Sequence, residues 1–211
     1  MEDRPSYFNG HDCSFGHIFN DYNPRGNASL LEYSLVLDSW LVAIAVAKER
    51  GIRVELVPVL LDGDSTSIPA HVYEQHTPTK QPVIVYEYLQ STVHHGAHLP
   101  TVGEILDAGI NATTAQAIVF TNRDIGMYPD FYVEACRDLS RPGILAVERT
   151  RVRMELAAYV ANKTHAMYQT RLGRHHGVDC VIVPVHVVPK CLRNNRQLVI
   201  GLPPWGGILR S

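Results

Sequence analysis

Charge is scarce in this sequence. Of 211 residues only 19% are charged, and 19 Lys and Arg nearly balance 21 Asp and Glu, leaving a formal net charge of −2. Without a positive excess there is no electrostatic basis for holding nucleic acid or an anionic membrane. Cysteine is also sparse: Cys13, Cys136, Cys180 and Cys191 show no Cys-x-x-Cys spacing, and four scattered thiols fit a reducing compartment. The first residues hold no basic segment followed by an apolar core, so no secretory signal is read there. The longest apolar run, residues 35–47, is interrupted by Asp38 and is too short to span a bilayer. These absences predict a soluble, cytoplasmic protein with no membrane span and no nucleic-acid partner.

What is present is a globular composition, 45% apolar, at a length suited to one well-buried domain. Residues 1–29 are polar and turn-rich, with Asn9-Gly10 and Asn23-Pro24-Arg25-Gly26 as breakers. They read as a leader, or as a leader holding a short first strand at His17-Ile18-Phe19. Residues 30–211 form the domain. Residues 30–50 carry a long helical pattern, with Ser29 and Glu32 as a capping box and Gly51 as the stop. Residues 52–61 read as a strand ended by Asp62-Gly63-Asp64, and residues 82–89 as another. Thr101 and Glu104 cap a helix over residues 101–108. Residues 117–120 are a buried strand, 129–139 a helix opened by Pro129, and 144–147 a strand ending at Glu148. A surface helix over 154–163, a loop from His175 entering a strand at Asp179, and a last strand at 198–200 complete the reading. Strand and helix alternating in this way predict an α/β fold, three layers around a mainly parallel central sheet.

The chemistry concentrates after residue 120, where Phe120 gives way to Thr121-Asn122-Arg123-Asp124. On extended backbone, residues i and i+2 share a face. Asn122 and Asp124 then converge at the carboxyl end of a buried strand, where open α/β sheets bind ligands. Two hard oxygen ligands suit Mg²⁺ or Mn²⁺ together with substrate phosphates. In the plainer reading Asp124 caps the next segment and Asn122 supports a turn. Asp62 and Asp64 are a rival metal pair on a Gly-Ser-Thr loop, and His94, His95 and His98 lie within five residues.

Thr121-Asn122-Arg123-Asp124-Ile125-Gly126, with Pro129-Asp130-Phe131-Tyr132, resembles the metal-binding segment of nucleotide-diphospho-sugar transferases of the GT-A fold. His175-His176-Gly177-Val178-Asp179-Cys180-Val181-Ile182-Val183-Pro184 and Ile200-Gly201-Leu202-Pro203-Pro204-Trp205-Gly206 resemble two later segments of a glycosyltransferase-like group, in the expected order. The resemblance implies a GT-A-like, Rossmann-like nucleotide-diphospho-sugar transferase fold. It implies a nucleotide-diphospho-sugar donor, Mn²⁺ or Mg²⁺ on Asn122 and Asp124, and an acceptor that is a glycan, a lipid or a small molecule. On such a sheet Asn20, Asp21 and Asn23 lie near the base or ribose. Asp179 is the candidate base that takes the acceptor's proton, and His175 or His186 the candidate late histidine on the metal. Glu148, Arg149 and Arg151 at the strand end contact a diphosphate or sugar, or else Arg151 and Arg153 form the polar face before the surface helix. Trp205 either stacks on a sugar or base or packs in the core, and Cys180 reads as a buried thiol. The sequence departs from the pattern at Asn122, a neutral ligand, at Arg123, a cation beside the metal, and at Glu148 and Thr150. Those departures motivate an alternative, a non-catalytic nucleotide-sugar or partner-binding module. A third reading is a metal-dependent phosphohydrolase using Asp62, Asp64 and the histidine cluster.

Overall fold

The computed structural model describes residues 13–21, 27–78, 83–85, 93–94, 97–98, 100–139, 144–152 and 171–189. Six strands, β1 (Ser14–Asn20), β2 (Arg53–Leu61), β3 (Val83–Val85), β6 (Ala117–Thr121), β7 (Leu145–Val152) and β8 (Arg171–Pro184), form one sheet in the order β3-β2-β1-β6-β8-β7. The pairs β1–β2, β1–β6 and β2–β3 are parallel, and β8 runs against both its neighbours, so five of the six strands point the same way. A separate two-stranded pair, β4 (Val93–His94) with β5 (Ala97–His98), lies between β3 and the next helix in sequence. The fold is the mixed α/β class that the alternating pattern predicts, with a mostly parallel central sheet.

Two apolar layers sandwich the sheet. On one face, α1 (Asn27–Glu49), α2 (Ala70–His76) and α4 (Phe131–Leu139) pack Trp40, Ala43, Val72 and Tyr132 against Phe15, Phe19, Leu56 and Val119. On the other, α3 (Val102–Ala112) packs Val102, Ile105 and Leu106 against Ile18, Val57, Ile118 and Val183. Alternate residues of β1 thus enter opposite cores, Phe15 and Phe19 on one side and Ile18 on the other, as a strand's two-residue period requires. α3 lies very close to β1: a Cβ on Gly109 would stand 2.7 Å from Ile18, and one on Gly16 2.8 Å from Thr113.

Local signals explain the helix ends. Thr101 accepts from the Glu104 amide while Glu104 accepts from the Thr101 amide, a complete capping box at the start of α3. Gly51 adopts φ 75°, and the Gly51 and Ile52 amides donate back to Lys48 and Ala47, closing α1 in a Schellman turn. The same helix begins at Asn27, so Ser29 lies inside it rather than capping it; nothing in Asn27-Ala28 breaks the helical turn that precedes Ser29. The stretch Leu30–Glu49 is long and apolar enough to cross a membrane by length and composition, beyond the residues 35–47 considered from sequence. Half of it is buried inside this domain, as a core helix must be.

Three expectations need correction here. First, β7 continues through Glu148 to Val152 instead of ending at Val147, because β8 continues alongside it. Second, residues 171–184 are all strand, so there is no loop from His175 and Asp179 is not a strand start. Third, Cys13 and Cys136 are not thiols but a disulfide, with their Cα atoms 5.9 Å apart. The fold brings the residue before β1 against α4, a contact that a sequence separation of 123 conceals. The redox case for a cytoplasmic compartment rested on four thiols and does not hold for this pair. Cys180 is buried and takes part in no disulfide, as expected of a buried thiol. The predicted elements at 154–163 and 198–200, and Trp205, lie outside the described residues.

Candidate functional site

β1 is the turning point of the sheet. The chain leaves it through α1 to β2 on one side, moves outward to β3, then returns through α3 to β6 on the other side. Strand order reverses here, and the carboxyl edge at such a reversal is where open α/β sheets take ligands; in this protein the connections after both strands, α1 and α4, pack on the same face of the sheet. The two ends here are Asn20-Asp21 and Thr121-Asn122.

The floor beneath them is a buried polar chain. His17 is fully buried, with Nδ1 2.8 Å from the Tyr132 hydroxyl and Nε2 2.8 Å from the Thr121 hydroxyl. Burial lowers its pKa to about 3, so the ring is neutral and one nitrogen donates while the other accepts. Burial, and after it the Cys180 thiol, raises the Tyr132 phenol well above its usual value. The His17 ring also packs on Trp40, centroids 4.5 Å apart. This chain joins β1, β6, α4 and α1 directly below Asn122.

α1 holds the loop that follows β6. Trp40 Nε1 donates to the Ile125 carbonyl at 2.8 Å, and the Met127 amide donates to Ser39 Oγ at 3.0 Å. The Ile125 amide in turn donates to the Asn122 carbonyl at 3.3 Å, so residues 122–125 form a turn. The strand stops at Thr121, and the extended backbone that would have put Asn122 and Asp124 on one face is absent. Asn122 is half-buried, Asp124 is exposed, and Arg123 between them is turned inward at 5% exposure. Its guanidinium carbon stands 4.3 Å from the centre of the Tyr33 ring of α1.

Asp21 closes the other side. Its carboxylate is fully buried and accepts from Thr66 Oγ1 at 2.8 Å, from the Ser67 amide at 3.0 Å and from Ser67 Oγ. It therefore pins the β2–α2 loop over the end of β1. Asn20 Nδ2 donates to the Val59 carbonyl at 3.1 Å. Burial, with the Asp21 carboxylate nearby, raises the Tyr33 phenol far above its ordinary range. Tyr33 thus senses both strand ends, the Asp21 carboxylate after β1 and the Arg123 guanidinium after β6.

β8 brings Asp179 to the same edge. Thr121 pairs with Cys180, so the next residue of β8 outward is Asp179, beside Asn122. On its other side β8 slips register: Val147 pairs with Cys180 but Glu148 pairs with Val178, which leaves Asp179 as the extra residue of a β-bulge. Arg149 and Arg151 lie further along β7, where the ladder continues only with β8. His186 sits at the opposite edge, since β8 ends opposite Ala117 and the following 3₁₀ turn, Val185–Val187, bonds back to Gln116. It is not near Asn122. Asn23 and Trp205 lie outside the described residues.

Among the described residues no three His, Cys, Asp or Glu side chains group closely enough to hold a metal ion. Asn122, Arg123 and Asp124 together carry no net charge, with one carboxylate and a buried cation in one turn. This set does not fit a divalent ion held by the protein, which hard oxygen ligands and net negative charge favour. Asp62 and Asp64 are exposed on a turn closed by the Asp64 amide on Leu61, with Gly63 at φ 86°. That is turn chemistry, as their sequence context indicated.

Sequence reasoning missed Tyr33, Thr66 and Ser67. The usable signal was Asp21 itself: a carboxylate at the end of an apolar strand needs donors, and Ser65-Thr66-Ser67 offers them.

No family model matches the chain, and no curated protein matches it. Among solved structures it is similar to 4-diphosphocytidyl-2C-methyl-D-erythritol synthase from Anaerococcus prevotii, at a TM-score of 0.43 and 10% identity, over 95% of this chain and 84% of that one. A likeness this slight carries no argument about function.

Proposed function

We propose that the edge between β1 and β6 binds a nucleotide-diphospho-sugar and that the protein transfers the sugar to an acceptor hydroxyl on a glycan, a lipid or a small molecule. The observation that carries this reading is the switch point: the Thr121-Asn122-Arg123-Asp124 segment, which resembles the metal-binding segment of sugar-nucleotide transferases, begins at the carboxyl end beside the reversal of the sheet. The acceptor oxygen attacks the anomeric carbon, its proton passes to the Asp179 carboxylate, and the nucleoside diphosphate leaves with the bonding electrons. Arg149 and Arg151 assist the phosphates, and Trp205 stacks on the sugar or base. Mn²⁺ or Mg²⁺ belongs to the resemblance; given the turn at residues 122–125, no step here is routed through it.

The experiment is thermal unfolding against a panel of nucleoside diphosphates and their sugars, followed by a transfer assay with whichever binds. A ligand of the native state at a hundredfold excess over its Kd adds about 2.7 kcal/mol of stability. The proposal expects a shift with one base, and turnover that Asp179→Asn abolishes without removing the shift. Binding with no turnover on any acceptor class would favour the non-catalytic module, and no shift at all would remove the proposal.

A further inference from the structure

A diphosphate brings at least two negative charges, and the edge that binds it must offset them. In the turn after β6 the only positive charge belongs to Arg123. Taking a guanidinium out of water is unfavourable unless its surroundings compensate, yet this one is 5% exposed. Its surroundings are arranged for it. The Tyr33 ring lies 4.3 Å away on helix α1, and the buried Asp21 carboxylate is close enough to act on the same phenol. The turn that carries Arg123 is itself fixed by Trp40 on Ile125 and Ser39 on Met127. A guanidinium carries its N–H donors in a planar fork that matches phosphate oxygens, and the Tyr33 ring 4.3 Å from its carbon helps fix where that fork sits. A divalent ion on Asn122 and Asp124 would instead be repelled by this neighbouring cation.

We propose that Arg123 is the diphosphate-binding cation of this site, in place of a divalent metal, so that a diphosphate anion binds equally well with metal removed. The identity of the diphosphate as part of a nucleotide sugar rests on the function proposed above; the anion site itself does not.

The test uses the full chain in metal-free buffer and in buffer with Mn²⁺, with inorganic pyrophosphate and then nucleoside diphosphates as probes of thermal unfolding. The expected result is the same rise in midpoint in both buffers, falling with added salt, and at least tenfold weaker binding in Arg123→Gln. Arg123→Lys should retain part of the affinity. A shift that appears only with Mn²⁺ overturns the inference, and that comparison needs no variant to fold. So does an Arg123→Gln protein with native circular dichroism that binds pyrophosphate as tightly as wild type in metal-free buffer, and so does no shift with any probe. Metal-free pyrophosphate binding that depends on Arg123, with nucleoside diphosphates no tighter, supports the anion site and overturns the nucleotide-sugar reading.

Discussion

Strands β1 and β6 keep unbroken register with each other and are buried along almost their whole length, whereas β7 and β8 slip register three times between Val147 and Val152. The first pair lies between two helical layers and is stitched across by His17, Tyr132 and Thr121. The second continues past the last β6 pairing at Cys180 as a two-stranded ribbon carrying Arg149, Arg151 and the bulged Asp179. A frame and a bulged ribbon thus meet at one edge. The frame fixes backbone positions to the hydrogen bond, and the bulges re-aim residues there, a division that active edges of sheets often show. Stability should therefore reside in the β1–β6 side.

The largest effect expected is on reducing Cys13–Cys136, which ties β1 to α4 across 123 residues of sequence. Chain-entropy reasoning puts the loss at about 5 kcal/mol, read by urea unfolding with and without reductant. An unchanged midpoint would mean that packing alone holds α4 on the frame. Trp40→Ala, which empties a fully buried site and frees the Ile125 carbonyl, should cost about 4 kcal/mol. Val147→Ala, at a half-buried position on β7, should cost about 1 kcal/mol. Equal costs for the two would erase the contrast between frame and ribbon.

His17 makes the frame acid-sensitive. Its ring is neutral when folded, with a pKa of about 3, while the unfolded chain takes up a proton below the ordinary 6.5. The stabilisation is complete above pH 6.5 and declines as the pH falls towards 3, by roughly 3 kcal/mol at pH 4. Unfolding free energies across this range should show that slope, and His17→Gln should flatten it. An unchanged slope in the variant would assign the acid sensitivity elsewhere. As small as the Val147→Ala effect is that of Thr101→Ala, which opens the α3 capping box and should cost about 1 kcal/mol, measured in the same denaturant series.

The frame was readable because its signals are local. The apolar run at residues 117–120, the Thr101–Glu104 box and the Gly51 stop each lie within a few residues of what they determine. The ribbon was not, because Glu148-Arg149-Thr150-Arg151 is polar and carries no apolar alternation; only its long partner makes it a strand. The disulfide escaped for a related reason: pairing among four cysteines cannot be deduced from spacing. At the site, the position of Asn122 at a strand end was legible, but the turn that separates it from Asp124 depends on Trp40 and Ser39, more than 80 residues earlier. Asp21 was legible as a strand-end carboxylate. Its engagement by Thr66 and Ser67 was not, since it requires β2 to lie beside β1.

The most direct test of a ligand site at the β1–β6 reversal is amide hydrogen exchange, with and without the nucleoside diphosphate that gives the largest thermal shift. The account predicts slowed exchange in residues 62–68 and 122–127, at the carboxyl edge, and no change at the opposite edge around Arg53 and Thr113. Protection confined to the amino edge, or to α1 alone, would contradict it.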